Sequence, residues 1–342
     1  MSAKPMARDQ SAAYSMLDLI QSAVLTQAIS VAAKLDIADV LGDGPLSADE
    51  IAKRVGSDPE ATRRLLRVLS GYSVFTVRPD GRFELTPMAS ALRDSNPDSV
   101  RGMAILMSHP LLWEEWGHLF DSVQAGEASL PKLRGMGAQD FFQANPEYAA
   151  VFSQAFGQLS VSETDPVLAA YDFTQFGTVV DVGGGRGGFL AGILSQAPNS
   201  HGVLYDSDQV TADAASMFDA AGVGARVTIE NGSYFGKYPA GGDAYVLKHV
   251  IHDFTEPDCL LILKNVRDAI GPGGKALVIE YVVGGNNERH LGNIIDLWLL
   301  LMLGAKERTL PEYTELFAEA GLKITRKIPT AGPMSIIEAV PV

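Results

Sequence analysis

The segment Asp181-Val182-Gly183-Gly184-Gly185-Arg186-Gly187-Gly188 places a carboxylate two residues ahead of a turn made almost wholly of glycine. Residues 179–182 read as a short buried strand. Phe189, Leu190, Ile193 and Leu194 recur behind the turn at helical spacing. Glycines permit positive φ and a close approach of backbone to ligand, and the helix start aims free N–H groups at whatever binds. About twenty residues beyond the turn, 201–205 read as a second strand ending in Asp206, where an acid takes ribose hydroxyls. A nucleoside cofactor is the first implication. Gly183, Gly185 and Gly188 also satisfy the dinucleotide pattern G-x-G-x-x-G, but Asp181 suits a cationic amine better than a pyrophosphate. The turn also lies past the middle of the chain, whereas dinucleotide domains commonly open with theirs. S-adenosylmethionine carries an ammonium, a sulfonium and a ribose but no phosphate, and it fits the two acids better.

The second reactive group is Lys248-His249-Val250-Ile251-His252-Asp253-Phe254, which leaves a strand and enters a helix. An imidazole of ordinary pKa, near 6.5, is largely neutral at pH 7, so His252 is expected neutral and able to accept a proton. A phenol, with a pKa of about 10, attacks a sulfonium methyl poorly until that proton is leaving. Methyl transfer to oxygen therefore gains from a base within about 3 Å of the hydroxyl. The leaving group is a neutral thioether, so alignment and proton removal suffice and no metal is expected. Glu280 and Glu307 are the acids expected to fix the tautomer of His252. His249 reads as packing or pocket lining, and His109, His118, His201 and His290 form no metal-ligand pattern.

The elements that must hold these residues follow from pattern. Strands are expected at 178–182, 201–205, 227–230, 244–247 and 275–280, with a closing antiparallel pair at 323–328 and 335–340. That is an α/β fold with a doubly wound sheet, whose ligands sit beyond the carboxyl ends of the strands. Upstream, residues 12–170 read as mostly helical, with long helices at 111–123 and 138–159. Leu17, Ile20, Val24, Ala28, Val31 and Leu35 form an apolar stripe too extensive for one small domain to bury, which predicts a homodimer. Ser47 with Glu50 reads as a capping box, Gly56 as its helix stop and Pro59 as the next start. Strands at 72–77 and 82–85 then bracket Pro79-Asp80-Gly81, completing a winged-helix pattern. Such a pattern invites a DNA-binding reading through Arg63, Arg64 and Arg67. Residues 1–100, however, hold 11 Lys/Arg against 13 Asp/Glu, so no basic footprint surrounds them.

Bulk properties agree. The chain has 342 residues with a formal charge of -14, which argues against nucleic acid and anionic membrane as partners. Its single cysteine, Cys259, excludes an internal disulfide and suits a cytoplasmic setting. No basic-then-apolar leader is read at the start, and the longest apolar run, 297–303, is too short to cross a bilayer.

On these residues the chain resembles the plant-type and bacterial small-molecule O-methyltransferases of the caffeate and hydroxyindole kind. Asp181 through Gly185 is similar to their cofactor loop, Tyr205-Asp206 to their ribose acid, and Lys248 through Phe254 to their Lys-(three residues)-His-Asp-aromatic segment. Gly271-Pro272-Gly273-Gly274-Lys275 and Lys306-Glu307-Arg308-Thr309 match later landmarks. The resemblance implies a class I methyltransferase domain at 171–342, a winged-helix dimerisation domain at 12–105 and a helical linker and pocket region at 106–170. It implies that His252 is the base, flanked by Glu280 and Glu307, and that Asp253 positions the substrate hydroxyl or methyl donor. Gly183 and Gly185 would line the methionine end, Asp206 the ribose, and Ser233 with Tyr234 the adenine. Lys248 would approach the adenosine mainly through its backbone, while Phe152 and Ser160 would close over the cofactor.

Two departures stand out. Ser233 replaces the family's usual acid after the third strand, and Phe156 replaces a methionine. A substrate wall is expected from Met103, Met107, Trp113, Phe141, Phe156, Trp298 and Met302, which together suit a flat aromatic acceptor. The resulting expectation is O-methylation of a hydroxyl, phenolic in character, on an aromatic secondary metabolite. N-methylation or cofactor-assisted non-methylating chemistry is the alternative, and a ligand-sensing DNA-binding protein is a third reading.

Overall fold

A computed structural model describes residues 10–284 and 287–342. It divides into two compact units, one of residues 1–114 with 145–159 and the other of residues 115–144 with 160–342. The segment 106–170 is thus shared between them.

In the first unit the local signals act as their chemistry requires. Ser47 Oγ accepts from Glu50 N–H at 3.2 Å and Glu50 Oε2 accepts from Ser47 N–H at 2.8 Å, starting helix Ala48–Val55. Gly56 ends that helix at φ 70°, and Asp58 caps helix Pro59–Gly71 through Ala61 N–H at 2.8 Å. The hairpin strands β1 (Phe75–Val77) and β2 (Phe83–Leu85) each start later than expected, β1 losing its outer end and β2 the residue beside the turn. Ile37, Ile51, Leu66, Leu69 and Phe75 form the buried centre. Arg63 is engaged by Asp49 at 2.8 Å and Glu60 at 2.6 Å, so it is not held ready for phosphate.

Helix Gln10–Lys34 carries the expected stripe, but its first half finds no cover among the described residues. Leu17, Leu19, Ile20 and Val24 are 46%, 67%, 63% and 67% exposed, a patch that a single soluble chain does not leave open. By length and composition this helix is also apolar enough to cross a membrane. The run at 297–303 did not reveal it, because Ser15, Asp18, Gln21 and Ser22 interrupt the apolar residues here without ending the helix.

The second unit is built on a seven-stranded sheet of order β5-β4-β3-β6-β7-β9-β8. Its strands are β3 (Thr178–Val182), β4 (His201–Asp206), β5 (Val227–Asn231), β6 (Ala244–Lys248), β7 (Lys275–Glu280), β8 (Leu322–Pro329) and β9 (Ser335–Pro341). Neighbours from β5 through β7 are parallel, and β9 and β8 close the edge antiparallel. The buried run Ala244-Tyr245-Val246-Leu247 lacks alternation because β6 is central and covered on both faces. The chain winds outward from β3 to β5 and returns to start β6 on the other side of β3. The β3/β6 border is therefore the switch point where such sheets bind ligands. Asp181, Asp206, Lys248 and Glu280 all stand at carboxyl ends of strands around it.

Two expected helices are each broken. Segment 111–123 is split at His118 into Pro110–Gly117 and Leu119–Ala125. Segment 138–159 is split at Asn145, because Pro146 cannot donate to the preceding turn and instead opens helix Pro146–Ala170.

Candidate active site

At the end of β3, Gly183 and Gly185 take φ of 72° and 62°, as the turn requires. A Cβ at Gly183 would come within 2.6 Å of Tyr234 Oη, so only glycine lets that phenol lie across the turn. Beneath it, Asp181 is 1% exposed and its Oδ2 has no hydrogen-bond partner among the described residues. Burial pushes its carboxyl up to about 7, with Lys248 opposing the rise. At the end of β4, Asp206 Oδ2 accepts from Gly185 N–H at 2.9 Å and Oδ1 from Ser207 N–H at 2.7 Å. A buried, partnerless carboxylate oxygen beside a side-chain-free turn fits a cationic nucleoside such as S-adenosylmethionine.

Ser233 is exposed; its Oγ accepts from Phe235 N–H at 3.3 Å and its carbonyl from Tyr205 Oη at 3.1 Å. Tyr234 meets Phe254 edge-on at 5.1 Å. Lys248 Nζ donates to Ser160 Oγ at 2.7 Å, so both side chains serve to hold helix Pro146–Ala170 onto β6. Phe152 lies in the first unit, with its ring 4.5 Å from that of Phe156.

His252 sits in a single-turn helix, Ile251–Asp253, whose start is held from below. Glu280 Oε1 accepts from Val250 N–H at 3.0 Å and Ile251 N–H at 2.9 Å. Nδ1 of His252 is 2.6 Å from Glu307 Oε1 and 3.3 Å from Glu280 Oε2. Both acids are therefore where the sequence put them. The protonation state is not. Burial alone would lower the pKa of His252, but Glu280, Asp253 and Glu307 overturn that and push it up to about 10. The expectation of a neutral resting imidazole is corrected: two buried carboxylates on one side stabilise the imidazolium. Burial raises Glu280 to about 7 and Glu307 in the same direction. Asp253 is half-exposed, with Oδ1 3.6 Å from His252 Nε2, too far for a hydrogen bond.

Several functional residues escaped the sequence reading. Asp296 Oδ1 accepts from Glu307 N–H at 2.8 Å and so aims that acid. Arg308, 1% exposed, reaches Ile251 O at 3.3 Å and Glu256 Oε2 at 3.3 Å, pinning the turn that carries His252. Its place in Lys306-Glu307-Arg308-Thr309 was the available signal. Glu163 had none, because its partners are remote in sequence: His249 Nε2 at 2.7 Å, Lys248 Nζ at 3.6 Å and the hydroxyl of Tyr281. His249 is thus not mere lining. It is held by a buried carboxylate, at φ 56°, with its ring 5.1 Å from that of His252.

The seven wall candidates are divided between the units. Met103, Met107 and Phe156 are half-buried in the first, and Trp113 there is 41% exposed. Phe141, Trp298 and Met302 are buried in the second, with Arg134 over the Phe141 ring at 5.1 Å. Trp116, which the sequence reading missed, stands 6.1 Å from Trp298, and its indole N–H is buried without a partner.

Comparison with known proteins decides the family. Residues 116–323 match the O-methyltransferase domain model and residues 17–95 the O-methyltransferase dimerisation domain model. Phenazine O-methyltransferase PhzM of Lysobacter antibioticus is 36% identical over 96% of this chain and 96% of its own length. This chain belongs to the O-methyltransferase family. Another relative of these O-methyltransferases is the 8-amino-8-demethylriboflavin N,N-dimethyltransferase of Streptomyces davaonensis, 35% identical over 90% of this chain and 89% of its own. The SAH-bound structure of CalO1, a methyltransferase in calicheamicin biosynthesis, superposes with a TM-score of 0.90 at 32% identity, covering 98% of this chain and all of that one. The class I methyltransferase fold with an N-terminal helical dimerisation domain follows, and with it S-adenosylmethionine-dependent methyl transfer.

Proposed function

We propose that this O-methyltransferase methylates a hydroxyl, phenolic in character, on a fused aromatic natural product, with His252 as the general base. The observation that carries the reading is the Glu307–His252–Glu280 set at the ends of β6 and β7, on the same sheet edge as the partnerless Asp181. The names of the relatives, a phenazine and a flavin methyltransferase among them, support a flat aromatic acceptor.

The cofactor supplies an electrophilic methyl on sulfur with a neutral leaving group. Asp181 and the side-chain-free turn at Gly183 and Gly185 would hold its amino-acid end, Asp206 the ribose, and Ser233 with Tyr234 the base. Within the second unit, Phe141, Trp298 and Met302 would line the acceptor wall, with Ser160 beside the cofactor and Asp253 beside the acceptor oxygen. Glu307 keeps a proton on Nδ1, leaving Nε2 as the atom that takes the acceptor's proton. A base near 10 receives a proton from a phenol near 10 at little cost, whereas an ordinary imidazole would lose about 5 kcal/mol in the same transfer. At pH 7, however, the resting imidazolium must first release its Nε2 proton, which costs about 4 kcal/mol and offsets most of that gain, so the advantage is realised above neutrality. His252 also surrenders its resting Nε2 proton more readily once a second positive charge shares the pocket.

The test is methyl transfer and S-adenosylhomocysteine affinity of His252→Ala and His252→Gln. Loss of turnover by about 10² or more with unchanged affinity supports the base; near-normal turnover would sink it. A second reading, methylation of an aromatic amine, is favoured by the N,N-dimethyltransferase relative alone. Paired aniline and phenol acceptors, compared by product mass, separate the two. We also infer a homodimer through the N-terminal domain.

A further inference from the structure

On its inner side His252 belongs to a cluster larger than a base and its orienters. One donor atom from each of His249, His252 and Glu280 lies within 4.8 Å of the others. Glu280 Oε2 is 3.3 Å from His252 Nδ1 and 4.0 Å from His249 Nδ1. Two fully buried oxygens, Glu280 Oε2 and Glu307 Oε2, have no hydrogen-bond partner. The cluster thus gathers two carboxyl groups around two imidazoles, with one oxygen of each acid unengaged.

His249 is prepared for another role. A carboxylate at 2.7 Å from Nε2 favours the ring proton there, which leaves the lone pair on Nδ1, 4.0 Å from Glu280 Oε2. Glu163 is itself held by the hydroxyl of Tyr281 and by Lys248. A buried carboxylate fixing the far nitrogen is how metal-binding imidazoles are oriented.

We propose that His249 Nδ1, His252 Nδ1 and Glu280 Oε2 form an inhibitory site for a zinc-class dication, with Glu307 or water as the fourth ligand. Tetrahedral zinc with ligands at about 2.0–2.2 Å needs donors roughly 3.4 Å apart. The Glu280–His252 separation of 3.3 Å meets this, the Glu280–His249 separation of 4.0 Å must close by about half an ångström, and the two imidazoles, whose donors lie within 4.8 Å, must close by up to about 1.4 Å. A dication neutralises the two carboxylates. The His249 side chain is 23% exposed against 8% for His252, which gives an entry path. Binding releases the Nδ1 proton of His252 to solvent, and the ring's remaining proton must then sit on Nε2. That removes the lone pair needed by the base. Zinc binding is therefore independent of the function proposed above, while inhibition rests on it.

The experiment uses tag-free, full-length protein in chelator-treated buffer, zinc against a fluorescent zinc indicator, and methyl transfer with and without zinc. His249→Asn removes the ligand with a residue that tolerates left-handed φ, and Glu163→Gln removes its orienter. One zinc per chain is expected, with reversible inhibition, restoration by EDTA and no effect of millimolar magnesium. His249→Asn should weaken binding at least tenfold and Glu163→Gln by about 10–100-fold, each with melting behaviour that shows a folded protein. Absence of stoichiometric zinc, or equal binding by folded His249→Asn, would overturn the site and leave the methyl-transfer reading untouched. Binding lost in His249→Asn but without inhibition of the wild type would overturn the inhibitory role and the base assignment together.

Discussion

Replacing Glu307 by Gln tests the electrostatics of the site most directly. Glu307 Oε1 lies 2.6 Å from His252 Nδ1, and both side chains are buried. With charge centres about 4 Å apart and an effective dielectric near 20, their attraction is about 4 kcal/mol. At about 1.36 kcal/mol per pKa unit that is roughly three units, the same order as the rise of His252 from 6.5 to about 10. Glu280 remains in the variant, so a fall of about two units is the reasonable expectation. The sign follows from the charge. A raised pKa keeps Nε2 protonated to higher pH, so wild-type kcat/KM should climb with pH well above neutrality, and in Glu307→Gln the climb should end about two pH units earlier. The variant's plateau should also drop by about 10²–10⁴, because an amide can donate to Nδ1 and favour the wrong tautomer. The assay is kcat/KM against pH from 6 to 10.5 with a phenolic acceptor, alongside Glu307→Asp, which retains the charge. An acid limb that stays in place, with a plateau within twofold of wild type, would refute the argument that Glu307 poises this base.

Three further outcomes are expected. Asp181, raised from 3.8 to about 7 by burial, ionises more readily unfolded than folded, so above pH 7 its charge costs the native state up to about 4 kcal/mol. Asp181→Asn should therefore raise the cofactor-free melting temperature at pH 8, with the gain fading toward pH 4, while S-adenosylhomocysteine binding by calorimetry weakens at least tenfold. Ser233→Asp adds an acceptor at an exposed turn and should tighten S-adenosylhomocysteine by about 3–10-fold, a charged hydrogen bond being worth more than a neutral one. Ile20→Glu with Val24→Glu should yield monomers in light scattering, since each large apolar side chain on that face stands to gain about 1.5–3 kcal/mol on burial.

Much of the second unit was legible because its signals are local. Thr178–Val182 and Lys275–Glu280 match the expected strands end for end, and the others differ by a residue or so at their ends. A buried parallel strand is a short apolar run with punctuation, and the punctuation here is glycine, aspartate or glutamate. Helix breaks at His118 and Asn145 were harder. Apolar residues continue through both, and only Pro146 announces the second. Glu163 and Asp296 could not be read, since each acts across the fold on a residue that no periodicity connects to it.

The protonation of His252 shows why residue identity did not disclose residue state. Three segments meet at this imidazole: the turn after β6, the end of β7 and the stretch ahead of helix Leu310–Glu319. Each contributes a group whose ordinary pKa is unremarkable, and each changes the others only because all are buried together. Glu280 shows the trade most clearly. Its Oε1 is committed to the N–H groups of Val250 and Ile251, which fixes where the turn begins, and its Oε2 is left to face two imidazoles. One carboxylate thus sets the position of the base with one oxygen and its charge with the other. Removing Glu280 should consequently disturb geometry and basicity at once, whereas removing Glu307, which holds no backbone of that turn, should disturb basicity and tautomer alone.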